Sequence, residues 1–278
     1  MRTRPSSIAA AVLKWIVLGF FLFVALFPLL WLGVSSLKTN LELQASPFSL
    51  PAVLQWGNYI NALRLADLPA LFGHSVLVAA GSVFLNLLTT SLAGFVLSRE
   101  KFIGRDVVHT VLTAGVLVPI ISFMVPYFTV VTRLGLYDKL FALMVVYGTI
   151  NIPVSIFLVT AFMRAIPKEL EEAAVIDGCG FFQRYSRIIL PLARTGLVTA
   201  GTFCFIYSWN EFIMALLLTS SASARTLQLG IRFFTSQFVT DYTSMYAAIV
   251  ISVVPSIVLY TSLHNRIISG LTAGAVKG

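Results

Sequence analysis

Residues 164–194 read RAIPKELEEAAVIDGCGFFQRYSRIILPLAR, a polar interruption between two long apolar stretches. The order of residues predicts two short helices joined by a tight turn. Pro167 suits a first helical position, where its missing N–H costs nothing. Glu169, Glu171 and Glu172 follow in the first turns, where the positive end of the helix dipole favours carboxylates. Gly178 and Gly180 admit backbone conformations that a Cβ resists, so they end this helix and turn the chain. In the second helix Phe181, Tyr185, Ile188 and Leu192 recur at helical spacing, with Gln183, Arg184 and Arg187 on other faces. The ordinary reading of such a charge run is a solvated loop at a membrane surface; the spacing of particular residues within it argues for more.

Outward from this segment, composition makes the chain a membrane protein. Of 278 residues, 58% are hydrophobic and only 11% charged, against about 25% charged in a soluble domain. Mean hydropathy is +0.91. The apolar residues fall in blocks long enough to cross a hydrocarbon core of about 30 Å, which takes about 20 helical residues. They predict an all-α polytopic membrane protein with six transmembrane helices, near residues 15–37, 71–98, 107–131, 140–163, 196–220 and 246–263.

An even number of crossings places both termini on one side. Basic residues accumulate in short cytoplasmic loops. Arg2, Arg4, Lys14, Arg99, Lys101, Arg105, Arg164, Lys168, Arg184, Arg187, Arg194, Arg266 and Lys277 share the side of the termini, whereas Lys38, Arg64, Arg133, Lys139, Arg225 and Arg232 lie opposite. Both termini are therefore expected in the cytoplasm, with residues 1–14 a cytoplasmic N-terminal segment, 15–263 the transmembrane domain and 264–278 a cytoplasmic tail. The net charge of +8 follows from this bias and from anionic lipid, without any nucleic acid. Cys179 in a reducing compartment and Cys204 inside a span suit no disulfide. His74, His109 and His264 have no metal-ligand spacing, so no metal site is expected.

Glu172, Ala173, Ala174, Gly178, Ile188, Leu190 and Pro191 together reproduce the EAA signature, and the segment resembles the loop that carries it in permease subunits of ATP-binding-cassette importers. Asp177 before Gly178 is the form seen in the sugar permeases. Seven matched positions are specific in a way that a lone glycine motif is not. The resemblance extends along nearly the whole chain, through NYINALR at 58–64, SLAGFVLSREKFIGRD at 91–106, Trp209-Asn210-Glu211 and the closing GLTAGAVKG at 270–278. His74-Ser75 stands where the family commonly has Asn-Ser, a departure that bears on any polar contact at that helix start.

What the resemblance implies is the type I ABC importer permease fold in a bacterial inner membrane. The chain would translocate a sugar or related polyol handed over by an extracytoplasmic solute-binding protein. It would work beside a homologous second permease subunit and two cytoplasmic ATPase subunits that hold ATP and Mg, with the 164–194 loop docked in an ATPase cleft. No G-x-x-x-x-G-K-[ST] occurs in the chain, so it is expected to bind no cofactor itself.

The first apolar block exceeds the about 7–15 residues of a signal-peptide core, which makes it a retained anchor. Pro119, Pro126 and Pro153 inside apolar runs predict kinks. Of the two long external segments, residues 38–70 can meet a soluble partner. The other, around Phe233, Phe234, Phe238 and Tyr242, is either an interfacial anchor or, by resemblance to maltose-type permeases, a contact for the binding protein.

Trp209, Asn210 and Glu211 lie inside the fifth block. A carboxylate near a helix centre costs about 2.5–3.5 kcal/mol in a bilayer, so Glu211 is expected to face protein or water and to have a partner. Two readings stand: Glu211 lines the sugar path, or its hydrogen bonds set helix packing or the subunit interface. An ion-coupled secondary carrier would use Glu211 as its ion site but leaves the EAA segment unexplained. An intramembrane enzyme would need a nucleophile and a base, and neither G-x-S-x-G nor H-E-x-x-H occurs.

Overall fold

The computed structural model describes residues 5–65, 67–232 and 241–275. Their regular elements are all helical: α1 (Pro5–Ser35), α2 (Asn40–Ala45), α3 (Gly57–Leu65), α4 (Leu68–Arg99), α5 (Arg105–Ala114), α6 (Met124–Arg133), α7 (Leu140–Ile150), α8 (Ile152–Ala165) and α9 (Glu169–Ile176), followed by helical segments Phe181–Leu192, Arg194–Asn210, Ile213–Leu218, Leu227–Ile231 and Tyr242–Ala275. Three helices are long and apolar enough to cross a membrane unbroken, within α1, in α4 and over Tyr242–Ser262. The other crossings are bent.

Proline decides two of the bends. Val118, forced out of the helical region by the Pro119 ring, is extended at ψ 122°, and the helices on either side meet at 105°. Between α7 and α8 the chain turns by 52° at Asn151. Pro126 and Pro153 then fall in the first turns of α6 and α8, where an N–H has no helical acceptor to lose. Pro126 thus marks a helix start, whereas the kink expected at Pro153 is the 52° turn two residues before it. The fifth crossing is interrupted as well: Arg194–Asn210 ends at an extended Glu211 (φ −71°, ψ 131°), and Ile213–Leu218 resumes.

The chain forms two compact units, Met1–Leu68 with Ile231–Val253, and Pro69–Gly230 with Val254–Gly278. In the first, the fully buried Lys38 gathers the chain after α1. Its Nζ donates to the carbonyls of Ser46 at 2.9 Å and Pro47 at 3.1 Å. Asn58 Nδ2 donates to the carbonyls of Ser36 and Lys38, each at 2.8 Å. In the second unit one core centres on Leu143, Tyr147, Met214 and Leu218, and another on Phe95, Val159, Met163 and Ile189. Asn86 Nδ2 donates to the Gly148 carbonyl at 2.8 Å, a close approach that depends on glycine, since a Cβ there would lie 3.1 Å from the Ser82 carbonyl oxygen.

Helix extends into both ends of the chain. α1 begins at Pro5, inside the segment expected to precede the first span, and the last helix runs on to Ala275 through most of the expected tail. Phe233, Phe234, Phe238, Arg2, Arg4 and Lys277 lie outside the described residues. The polar contact at the start of α4 survives the departure at His74. His74 Nδ1 lies 3.0 Å from the Arg225 carbonyl oxygen, and Ser75 Oγ accepts the Leu227 N–H at 2.7 Å.

Candidate functional site

The 164–194 segment folds as two short helices around a left-handed glycine. Ile166, preceding Pro167, is extended at ψ 130°, so α9 starts two residues later than Pro167 itself, at Glu169, with three carboxylates in its first turn. Gly178, at φ +83°, ends the helix. Its N–H reaches the Val175 carbonyl at 3.0 Å, and the Cys179 N–H reaches that of Ala174 at 2.9 Å, the paired bonds of a Schellman motif. Nothing lies within 4 Å of where a Gly178 Cβ would sit, so backbone conformation alone calls for glycine here.

Underneath is an ion cluster that the sequence reading missed. The buried Glu171 accepts from Arg184 Nη1 at 2.6 Å and lies 3.5 Å from Arg99 Nε, and Arg184 Nη2 also reaches Glu100 at 3.0 Å. Arg99 Nη2 donates to the carbonyls of Met163 and Ile166, the latter at 2.8 Å, at the C-terminal end of α8 where a cation is favoured. α4, α8, α9 and the following helix are therefore pinned at one point. The available signal was position: Glu171 lies three residues before Ala174, on the same helical face.

The expected site residues divide by face. Ala174 is buried, Ile188 and Leu190 are half-buried, and Glu172, Ala173, Asp177, Gly178 and Pro191 are exposed. Beside Glu172 a cleft of about 390 Å³ is lined by Lys101, Lys168, Val175 and Ile176 as well as Arg99, Glu171 and Arg184. In the second helix, Phe181 and Tyr185 pack on Phe95 with ring centroids at 5.1 Å and 5.5 Å. Tyr185 Oη lies 2.8 Å from Ser91 Oγ. A π turn at Arg184–Ile189 then advances the register by a residue. Ile189 and Ala193 are buried, and Leu192, expected on that apolar face, is exposed.

Trp209, Asn210 and Glu211 have three different surroundings. Trp209 is buried, stacked on Phe205 at 5.9 Å and edge-on to Phe72 at 5.3 Å. Asn210 is exposed, its Nδ2 donating to the Ile206 carbonyl at 2.8 Å. Glu211 Oε1 accepts the Met214 N–H at 2.7 Å, while Oε2 accepts the Ala215 N–H at 3.1 Å and the Tyr147 hydroxyl at 2.6 Å. The carboxylate thus supplies acceptors to a helix N-terminus, whose first N–H groups otherwise lack partners, and ties that half-span to α7.

Residues 86–272 match the family described as the binding-protein-dependent transport system inner membrane component. The chain belongs to that family. Over 268 residues the permease is 38% identical to a chain of Caldicellulosiruptor sp. (strain Rt8B.4) named for an ABC transporter permease, ORF2, covering 95% of the permease and 97% of that relative. It is 33% identical to the sulfoquinovosyl glycerol transport system permease protein SmoH of Agrobacterium fabrum, over 96% and 94% of the two chains. With the trehalose transport system permease protein SugB of Mycobacterium tuberculosis it shares 32% identity over 96% and 97%. In fold it matches a chain of a bacterial ABC transporter involved in alginate import, at a TM-score of 0.85 and 21% identity, over 95% and 99% of the two chains.

The permease is therefore a helical membrane-spanning component of an ABC importer. Among its described residues no group of three or more His, Cys, Asp or Glu side chains could hold a metal ion. Its conspicuous polar geometry is an exposed helix–turn–helix with an ion cluster beneath it and a broken span capped by a carboxylate.

Proposed function

We propose that this permease moves a sugar or related polyol across the bacterial inner membrane. The solute is delivered by an extracytoplasmic binding protein, and the energy comes from ATP and Mg on two separate ATPase subunits. A homologous second permease subunit completes the pathway. Three relatives named for sulfoquinovosyl glycerol, diacetylchitobiose and trehalose transport support the solute class. A similar fold occurs in an alginate transporter crystallised with a periplasmic protein bound to an alginate pentasaccharide. Both termini and the 164–194 segment face the cytoplasm in this reading, and the segment engages an ATPase subunit through Glu172, Ala173, Asp177, Gly178 and Pro191. Ala174, Ile188 and Leu190 hold its shape.

The observation that carries the coupling role is the cluster of Glu171, Arg99 and Arg184 beneath an exposed Glu172. A solvated loop needs no such anchor, whereas a segment that transmits force to α4 and α8 does. Glu211 has three donors within the chain, which favours the packing role over that of a carrier's ion site.

Reconstituted importer in lipid tests the coupling. Glu172→Ala removes a charge-assisted contact whose truncation costs about 2–5 kcal/mol at an interface. Gly178→Val opposes the left-handed turn, which costs about 1–2 kcal/mol in a residue with a Cβ. In both variants uptake and binding-protein-stimulated ATP hydrolysis are expected to fall together while insertion is unchanged. Normal stimulation with normal transport in both would show the segment to be a solvated surface.

A further inference from the structure

After α2 the chain turns back down the side of α1. Trp31 Nε1 donates to the Pro47 carbonyl at 2.9 Å, and the Phe48 ring lies 6.3 Å from both Trp31 and Phe27. The first crossing read from the sequence, near residues 15–37, is about 34 Å long at 1.5 Å per residue against a hydrocarbon core of about 30 Å, so centred in the bilayer it overhangs by about 2 Å at each end and the core boundary falls near residue 35. Trp31 is then about one turn inside that boundary and Phe27 about two turns, and Phe48 is beside them.

What this segment shows to its surroundings is apolar and uncharged. Residues 43–57 contain no Asp, Glu, Lys or Arg. The two charges that precede it are engaged inside the unit: Lys38 is buried on backbone carbonyls, and Glu42 accepts the Thr39 and Ala52 N–H groups; the next charge after it is Arg64, on α3. Phe48 is 76% exposed and Leu50 79%, and Val53, Leu54 and Trp56 are exposed beside them. Trp and Phe on an apolar face without charge are the composition that seats in a headgroup–hydrocarbon boundary. A docking surface for a soluble protein would lie above that level and carry a polar rim.

We propose that residues 47–56 are a membrane anchor seated in the outer leaflet, with phospholipid as the occupant of the Phe48–Trp56 face. Only the choice of leaflet rests on the orientation proposed above. The depth along α1 does not.

The test is collision accessibility of nitroxides in the complete importer in phospholipid nanodiscs. In a Cys179→Ser, Cys204→Ala background, labels at Leu50→Cys and Val53→Cys are expected to collide with oxygen several-fold more often than with a water-soluble nickel chelate. A label at the exposed Ser223→Cys should show the reverse. Chelate access at positions 50 and 53 equal to that at 223 would make the segment a solvated loop and overturn the proposal. Low access to both relaxants would mean that protein covers it, and would overturn it equally. A second reading needs no label: Trp56→Phe is expected to reduce the fraction of native fluorescence quenched by brominated phospholipid, and an unchanged fraction counts against the anchor. A permease inserted in the opposite sense would give the same depths, so failure of the orientation stays separate from failure of this inference.

Discussion

Removing the Glu171 carboxylate would leave the Arg99 guanidinium, on a side chain 2% exposed, without its counter-charge. Truncating one member of a buried pair costs about 3–5 kcal/mol, because the survivor remains desolvated. Arg184, at 20% exposure and with Glu100 as a second partner, softens the loss. Glu171→Gln is therefore expected to lower the unfolding temperature of the detergent-solubilised permease sharply. Glu172→Gln, at an exposed position, should change stability by less than about 0.5 kcal/mol. Equal shifts in the two would refute the division between anchor and contact surface.

A different carboxylate offers a pH handle at the same scale. Asp138 Oδ1 accepts the N–H groups of Ser220 and Ser221 at 2.7 Å and 2.9 Å, which hold its carboxyl below the ordinary value of 3.8. A depressed carboxylate contributes stability that is complete above the unfolded value and is lost as pH falls through the folded one. Hydrogen-exchange protection of Ser220 and Ser221, corrected for intrinsic rates, should thus persist through the ordinary aspartate range and fail only below it. Asp138→Asn should lower protection throughout and abolish the step; a step that persists in this variant would assign it to another group. Nothing in the sequence pairs Asp138 with residues 82 and 83 positions away, because hydrogen bonds to backbone N–H groups leave no side-chain pattern to read.

At the scale of the element, the amphipathic helix after Gly180 shows why periodicity carries so far and no further. Phe181 and Tyr185 were legible as one apolar face, since an undistorted helix repeats every 3.6 residues. The π turn at Arg184–Ile189 has no such signature, and it moves the buried face onto Ile189 and Ala193. Opposite outcomes follow for two similar side chains. Ile189→Asn, at a fully buried site, loses apolar packing and is expected to cost about 2–5 kcal/mol, whereas Leu192→Asn, at an exposed site, should leave the fold within about 0.5 kcal/mol. Thermal unfolding of the two purified variants distinguishes the registers, and the reverse order would restore the unbroken helix. The spans follow the same logic. Apolar length made six crossings legible, and Pro119 marked one break. The break at Glu211 was not marked by any proline or glycine; the carboxylate itself stabilises it by capping Ile213–Leu218.

For the whole molecule the orientation is the property that links these elements to work. Thirteen basic residues are on the side assigned to the cytoplasm and six on the other, and positive-inside retention acts most strongly in short loops next to span ends. Arg99, Lys101, Arg105, Arg164, Lys168 and Arg184 are of that kind, flanking the ends of α4, α5, α8 and α9. Of these, Arg99 and Arg184 belong to the ion cluster and Lys101 and Lys168 line its cleft, so four of the charges proposed to set topology also surround the segment proposed to meet the ATPase. The protein carries its own probe of this arrangement. Cys179 follows Gly178 in the turn and is partly exposed, while Cys204 is buried within a span. A membrane-impermeant maleimide should therefore leave the permease unlabelled in intact cells and label Cys179 once the inner membrane is permeabilised. In a Cys179→Ser background, Ser223→Cys should label in intact cells and Ile103→Cys only after permeabilisation, both side chains being exposed. Labelling of Cys179 or position 103 in intact cells, with protection at 223, would invert the topology. The helix–turn–helix would then face away from ATP, and the coupling proposal would fail with it.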